Sequence, residues 1–177
     1  VDRTDELVEA FHKSKLDALV SIGGDGSLTI AKTLSQKGLQ VIGVPKTIDN
    51  DLDQTVVTFG FETAVAFATE CLDRLHTTAA SHHRVMIVEV MGRYAGWIAL
   101  HSGVAGGADV ILMPEIPFKL SVICKFVQSR SRKGRRFSII VVAEGARPEG
   151  GQMVVARRVT DSTDPVRLGG IGNVVAQ

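Results

Sequence analysis

Residues 18–27 read Ala18-Leu19-Val20-Ser21-Ile22-Gly23-Gly24-Asp25-Gly26-Ser27, a short β-branched apolar run that breaks into glycines around one carboxylate. The run Ala18–Ile22 has the length and composition of a buried strand. Residues 27–37 then read as a helix, closed by Gly38. Strand, Gly-rich turn and helix in that order open a βαβ unit.

The same alternation continues outward from this stretch. A helix-like segment precedes it, beginning at Val1. Downstream, residues 40–44 (QVIGV) predict a second strand, stopped by Pro45, because the residue before proline is held out of the helical region. From about Gly60 to Thr78 the apolar positions Val65, Ala68, Leu72 and Leu75 recur at spacings of three and four, predicting a long helix. Strands are expected at 84–90, 110–113 and 137–143, with helices at 95–102 and 120–128. Strands separated by helices imply a doubly wound, largely parallel α/β sheet with right-handed crossovers and helices on both faces. In such sheets ligands bind beyond the carboxyl ends of the strands. The polar, Gly-rich segments fall at those ends: 23–27, 46–53, 91–96 and 144–145.

Composition narrows the class. The chain has 177 residues, 45% of them hydrophobic, only 5% aromatic, with 18 glycines. That balance suits an aliphatic parallel sheet with tight turns. A formal net charge of +1 gives no electrostatic reason to expect nucleic acid or an anionic membrane as partner. No apolar run reaches the roughly 18 residues of a membrane helix, so a cytoplasmic protein is expected. Cys71 and Cys124 lie outside any CxxC pair and read as two reduced thiols. The basic run 129–137 reads as a solvated helix end and turn, and Trp97 as core. The segment begins at Val1 and stops at Gln177, just after the glycines of 168–172. It therefore reads as one core fragment, 1–177, incomplete at both ends.

Two segments carry the chemistry. In Gly23–Ser27 the glycines let the backbone approach phosphates, a helix N-terminus offers N–H groups, and Asp25 can hold Mg²⁺. A tight turn with an aspartate cap explains the same residues without a ligand. The second segment is Pro45-Lys46-Thr47-Ile48-Asp49-Asn50-Asp51. An extended backbone there points Asp49 and Asp51 to one side, suiting a proton acceptor and its partner. An Asx-rich turn is the simpler reading.

The GGDGS loop followed by PKTIDND resembles the phosphofructokinase family. Further segments follow in the family's order: Ser81-His82-His83-Arg84, Glu89-Val90-Met91-Gly92-Arg93, Gly106-Gly107-Ala108, Pro114-Glu115 and Val142-Ala143-Glu144-Gly145. The resemblance covers nearly the whole chain. It implies direct phosphoryl transfer from ATP to the 1-hydroxyl of fructose 6-phosphate, with Mg²⁺, in glycolysis. It implies that Gly24, Asp25, Gly26 and Ser27 contact the nucleotide phosphates, with Asp25 on the metal. Asp49 is then the general base, a carboxylate of ordinary pKa ionised at pH 7. Thr47 lies by the transferring phosphoryl group, Asp51 supports Asp49 or the metal, and Lys46 completes the catalytic set. Thr47, Ile48 and Asp49 also contact the sugar phosphate, with Met91, Gly92, Arg93 and Glu144. Arg84 binds its 6-phosphate from a neighbouring subunit, in a dimer or tetramer.

On the donor the resemblance divides. Gly26 leaves room for the α-phosphate of ATP, whereas pyrophosphate enzymes carry an aspartate there. Lys46 is the pyrophosphate-type residue, although it also occurs with Gly26 in ATP-using relatives. Gly26 carries more weight, so ATP is expected, with pyrophosphate as the alternative. A non-catalytic paralogue that binds sugar phosphate or nucleotide is a further alternative. The family's N-terminal Gly-rich segment, an upstream arginine and a C-terminal GHxQRGG-like segment are absent from these 177 residues. Their absence leads us to expect that the isolated chain is inactive or unstable. An NAD kinase-like enzyme shares the GGDG loop but predicts neither TIDND nor MGR.

Overall fold

Alternating apolar runs and amphipathic stretches fold into the expected strands and helices in a computed structural model that describes residues 3–160 and 165–177. Close contacts divide the chain into two compact units, Val1–Gly60 and Phe61–Gln177.

In the first unit, helix α1 (Thr4–Lys13) leads to strand β1 (Leu19–Gly23), helix α2 (Asp25–Gln36), strand β2 (Val41–Thr47) and the two-residue strand β3 (Phe59–Gly60). The three strands form a parallel sheet in the order β1-β2-β3. Its core is Phe11 from α1, Leu34 from α2 and Leu39, with Leu19 and Val41 packed against them. Val20, Ile22 and Ile42 alternate onto the other face and are exposed. Helix α2 ends as the sequence predicts. Gly38 has φ +95°, and the N–H of Leu39 reaches back to the carbonyl of Leu34. Pro45 does not stop β2, contrary to expectation. The bias that proline imposes on Val44 is toward extended backbone, which prolongs a strand. Pairing with β3 starts only at Lys46, so at Pro45 the strand has a partner on the β1 side alone.

The second unit begins with helix α3 (Phe61–His82), followed by β4 (Val85–Val90), α4 (Trp97–Ala105), β5 (Val110–Leu112), α5 (Leu120–Arg132) and β6 (Ser138–Ala143). The parallel sheet has the order β4-β6-β5, so the last strand in sequence is the central one. All six residues of β6 are buried, which explains its unbroken apolar run. Its side chains alternate between two cores. Ile139, Val141 and Ala143 face Leu72 and Ala79 of α3 and Ala99 of α4. Ile140 and Val142 face Ile123 of α5 and, beyond it, Ile171 and Val175. Each fully buried aliphatic side chain of this kind contributes about 1.5–3 kcal/mol. Helices thus cover both faces, as expected. The parallel strands, however, form two sheets rather than one.

Four elements were not foreseen, the two-residue β3 among them. Strands β7 (Val155–Arg158) and β8 (Val166–Leu168) form a small antiparallel pair, and α6 spans Ile171–Ala176. Trp97 departs from its expected core position. It opens α4 at 42% exposure, its ring edge-on to His101. The basic run behaves as a helix end and turn. Gly134 takes φ +84°, Arg135 and Arg136 are exposed, and Arg130 turns inward to Asp109 at 2.6 Å and Ser138 at 3.1 Å. Both cysteines are free thiols. No helix among the described residues is long and apolar enough to cross a membrane.

Candidate active site

The residues singled out from the sequence fall into two groups, one in each unit. In the first unit they occupy the loops after β1 and β2, adjacent parallel strands whose carboxyl ends lie side by side. The turn from β1 into α2 is tight. A Cβ on Gly23 would sit 2.4 Å from the Cβ of Ser27, so only glycine fits. Gly24 is the N-cap of α2, and a Cβ there would lie 3.5 Å from the Cβ of Thr47. The two loops therefore lie close together. Gly26 differs from both neighbours, because a Cβ at that position would meet nothing within 4 Å. Neither packing nor backbone conformation requires glycine there. Asp25 is exposed in the first turn of α2, not its cap. No cluster of three or more His, Cys, Asp or Glu suited to a metal occurs among the described residues. A lone carboxylate fits Mg²⁺, which takes most of its ligands from water and substrate phosphates.

The loop after β2 is held from within. The Asp49 N–H donates to Thr47 Oγ1 at 3.2 Å. Asn50 adopts φ +52°, so the segment turns instead of running extended. The expected side-by-side arrangement of Asp49 and Asp51 through an extended backbone is therefore corrected. Their charges still interact. Burial, and secondarily the negative charge of Asp51, push the Asp49 carboxyl above the usual carboxylate range. This corrects the expectation of an ordinary pKa. Asp49 Oδ1 is buried and accepts no hydrogen bond. Such an atom is costly to keep, because burial without a partner forfeits the hydration of a charged group. Lys46 is exposed, and Thr47 and Ile48 are half-buried.

In the second unit, Met91–Arg93 and Glu144–Gly145 continue the β4–β6 pairing past the strand ends. Glu144 N–H donates to Val90 O at 2.9 Å and Gly145 N–H to Gly92 O at 3.0 Å. The approach is so close that a Cβ on Gly145 would fall 1.9 Å from Arg93 O. Gly92 is buried with φ +140°, and the Arg93 guanidinium lies 5.3 Å from the centre of the Tyr94 ring. Met91 is exposed. Arg84 is not brought to this group. It precedes β4, while Met91 follows it, and six residues of strand separate them by about 20 Å.

Three supporting residues had no role assigned from the sequence. Thr58, at 1% exposure, hydrogen-bonds to both flanks of Asp49. Glu115, read only as an order marker, accepts the Gly96 N–H at 2.8 Å at the start of α4. Glu89 accepts the N–H groups of Gly170 and Gly172 at 2.8–3.1 Å. Only Glu89 had a usable signal, a carboxylate in an otherwise apolar strand.

A sequence model of the family described as Phosphofructokinase matches residues 1–174. An ATP-dependent 6-phosphofructokinase 2 of Clostridium perfringens is 62% identical over 99% of this chain and 48% of its own length. A pyrophosphate–fructose 6-phosphate 1-phosphotransferase of Amycolatopsis mediterranei is 55% identical over 97% of this chain and 50% of its own. Among solved structures, the pyrophosphate-dependent phosphofructokinase of Marinobacter aquaeolei superposes with a TM-score of 0.75 at 34% identity, covering 82% of this chain and 41% of that one. The chain spans about half the length of the curated relatives it matches.

Proposed function

Because this chain belongs to the phosphofructokinase family, we propose that it is part of the catalytic core of a cytoplasmic 6-phosphofructokinase that phosphorylates the 1-hydroxyl of fructose 6-phosphate. The observation that carries this reading is the Asp49 carboxylate. It is half-buried just after β2, has a buried oxygen that accepts no hydrogen bond, and lies on a loop close to the glycine turn. A carboxylate so placed is a ready proton acceptor. As the sugar oxygen bonds to the transferring phosphorus and the bond to the leaving diphosphate breaks, Asp49 takes the hydroxyl proton. Thr47 faces the phosphoryl group. The N-terminus of α2, with Gly24, Gly26 and Ser27, binds the donor phosphates. Asp25 would hold Mg²⁺, whose charge offsets that of the phosphates. Met91, Gly92, Arg93 and Glu144 bind the sugar phosphate. Arg84 serves a neighbouring copy in a homo-oligomer, a role consistent with its exposed place at the opposite end of β4.

ATP is the donor we favour. A Cβ at Gly26 would meet no protein atom within 4 Å, which supports room there for an α-phosphate that a side chain would crowd. Pyrophosphate is the second reading, favoured by the exposed Lys46. The test is phosphorylation of fructose 6-phosphate by the complete gene product with Mg²⁺ and either ATP or pyrophosphate, beside Asp49→Ala. Turnover with ATP, lost by at least about a hundredfold in the variant, is the expected result. Turnover with pyrophosphate alone overturns the donor assignment. Sugar-phosphate binding without turnover from either donor would leave a binding protein.

A further inference from the structure

The Asp49 loop carries a cost that something must offset. A carboxylate oxygen buried without a hydrogen bond would gain by rotating to water or to an N–H group. Such an arrangement persists only where the surroundings over-determine it. The chain supplies that restraint from a residue outside the GGDGS and PKTIDND segments. Thr58 is almost completely buried and grips the loop on both sides of Asp49. Its hydroxyl donates to the carbonyl of Thr47 at 2.7 Å, two residues before the carboxylate. Its backbone N–H donates to Asn50 Oδ1 at 2.9 Å, one residue after it. The hydroxyl also lies 3.4 Å from Asn50 Oδ1. A threonine hydroxyl has a single proton, however, and the shorter contact takes it. Strand β3 carries this grip, pairing Phe59 with Lys46 and Gly60 with Thr47. Asn50 suits its end of the clamp twice over. It tolerates the left-handed conformation, and its side-chain oxygen fills the acceptor position.

From this geometry we propose that Thr58 and Asn50 are positioning residues that hold Asp49 in its desolvated, reactive orientation. The inference rests on the reading of Asp49 as the general base. Neither residue touches substrate. They act by denying Asp49 the relaxed orientations in which it would be hydrated and its oxygen turned away from the sugar hydroxyl.

The test uses the complete gene product with Thr58→Val, Thr58→Ser and Asn50→Gly, beside Asp49→Asn. Valine keeps the shape and β-branching but removes the donor. Serine keeps the donor. Glycine keeps the left-handed backbone but removes the acceptor. Misplacement of a reacting group by about 1 Å costs on the order of a hundredfold. Thr58→Val and Asn50→Gly should therefore lower kcat about ten- to a hundredfold, with KM for fructose 6-phosphate changed less than about threefold. The acid limb of the kcat profile should move to lower pH as Asp49 becomes hydrated. Thr58→Ser should recover most of kcat and the original limb. Unchanged kcat and pH profile in Thr58→Val and Asn50→Gly would overturn the proposal. So would a loss shared equally by Thr58→Ser, accompanied by a lower melting temperature and an unmoved acid limb. Turnover retained by Asp49→Asn would instead remove the base assignment itself. An inactive Asp49→Asn with an unaffected Thr58→Val would remove only the clamp.

Discussion

Replacing Gly26 with alanine separates the demands of the fold from those of the ligand. Gly26 lies in the first turn of α2, in helical conformation, with nothing within 4 Å of the position a Cβ would take. For the unliganded chain the methyl group is an improvement. Alanine exceeds glycine by about 1 kcal/mol in a helix interior, chiefly by restricting the unfolded chain, and by less near an end. A gain of roughly 0.5–1 kcal/mol raises the melting temperature of the complete gene product by about 1 °C. For the donor the same methyl group fills the space assigned to phosphate. Tenfold lower kcat/KM for ATP corresponds to about 1.4 kcal/mol, and we expect at least that loss. The assay is paired: thermal unfolding without ligand, and initial rates against ATP concentration at saturating fructose 6-phosphate. A variant that is both more stable and catalytically poorer fits a glycine retained for its ligand. Full activity in a stabilised variant would refute the reasoning, because the open space at Gly26 would then hold no part of the donor.

Two further outcomes follow from the same geometry. Asp51→Asn removes the smaller of the two causes that raise the Asp49 carboxyl. A raised carboxyl binds its proton more tightly folded than unfolded, so its ionisation costs stability, fully so above the folded pKa. The variant should move the acid limb of kcat to lower pH by part of the shift and slightly stabilise the protein at neutral pH, both read from pH profiles of rate and melting. Gly145→Ala is the counterpart of Gly26→Ala. Its Cβ would lie 1.9 Å from Arg93 O, so the Gly92–Gly145 hydrogen bond must open. Overpacking and the lost bond together cost about 2–4 kcal/mol. A lowered melting temperature and a raised KM for fructose 6-phosphate are expected, and unchanged values of both would contradict the close approach.

The parts of the molecule written in local pattern were legible in the sequence. The apolar runs that became β1, β4 and β6 and the spacing that became α3 follow from burial on a sheet and along a helix face. The loops at the strand ends were legible for the same reason, since a parallel sheet delivers them to one edge. What the pattern did not carry was tertiary. Strands β7 and β8 are short and polar, and the four residues of β7 are all exposed, so no periodicity marks it. Helix α6 starts after Gly170 in a left-handed conformation and is anchored by Glu89, 81 residues away. Thr58 lies between two valines and a phenylalanine, and its role exists only because the chain returns β3 alongside β2. The raised carboxyl of Asp49 likewise comes from burial, which a list of neighbours in sequence does not contain. The division of the strands into two sheets has the same origin, since the alternation of elements fixes their kind and not their partners.

The central position of β6 has a consequence for synthesis. Among the described residues, strands β4 and β5 do not pair with each other, and each pairs only with β6, which leaves the ribosome last of the three. Between Val90 and Ala143 lie 52 residues of chain, and translation at 5–20 residues per second takes roughly 3–10 s to cover them. Through that interval β4 presents Val85, Met86, Ile87 and Val88 with neither its partner strand nor half of its core. The nascent chain is most open to association with other chains in those seconds, before β6 enters between its two neighbours.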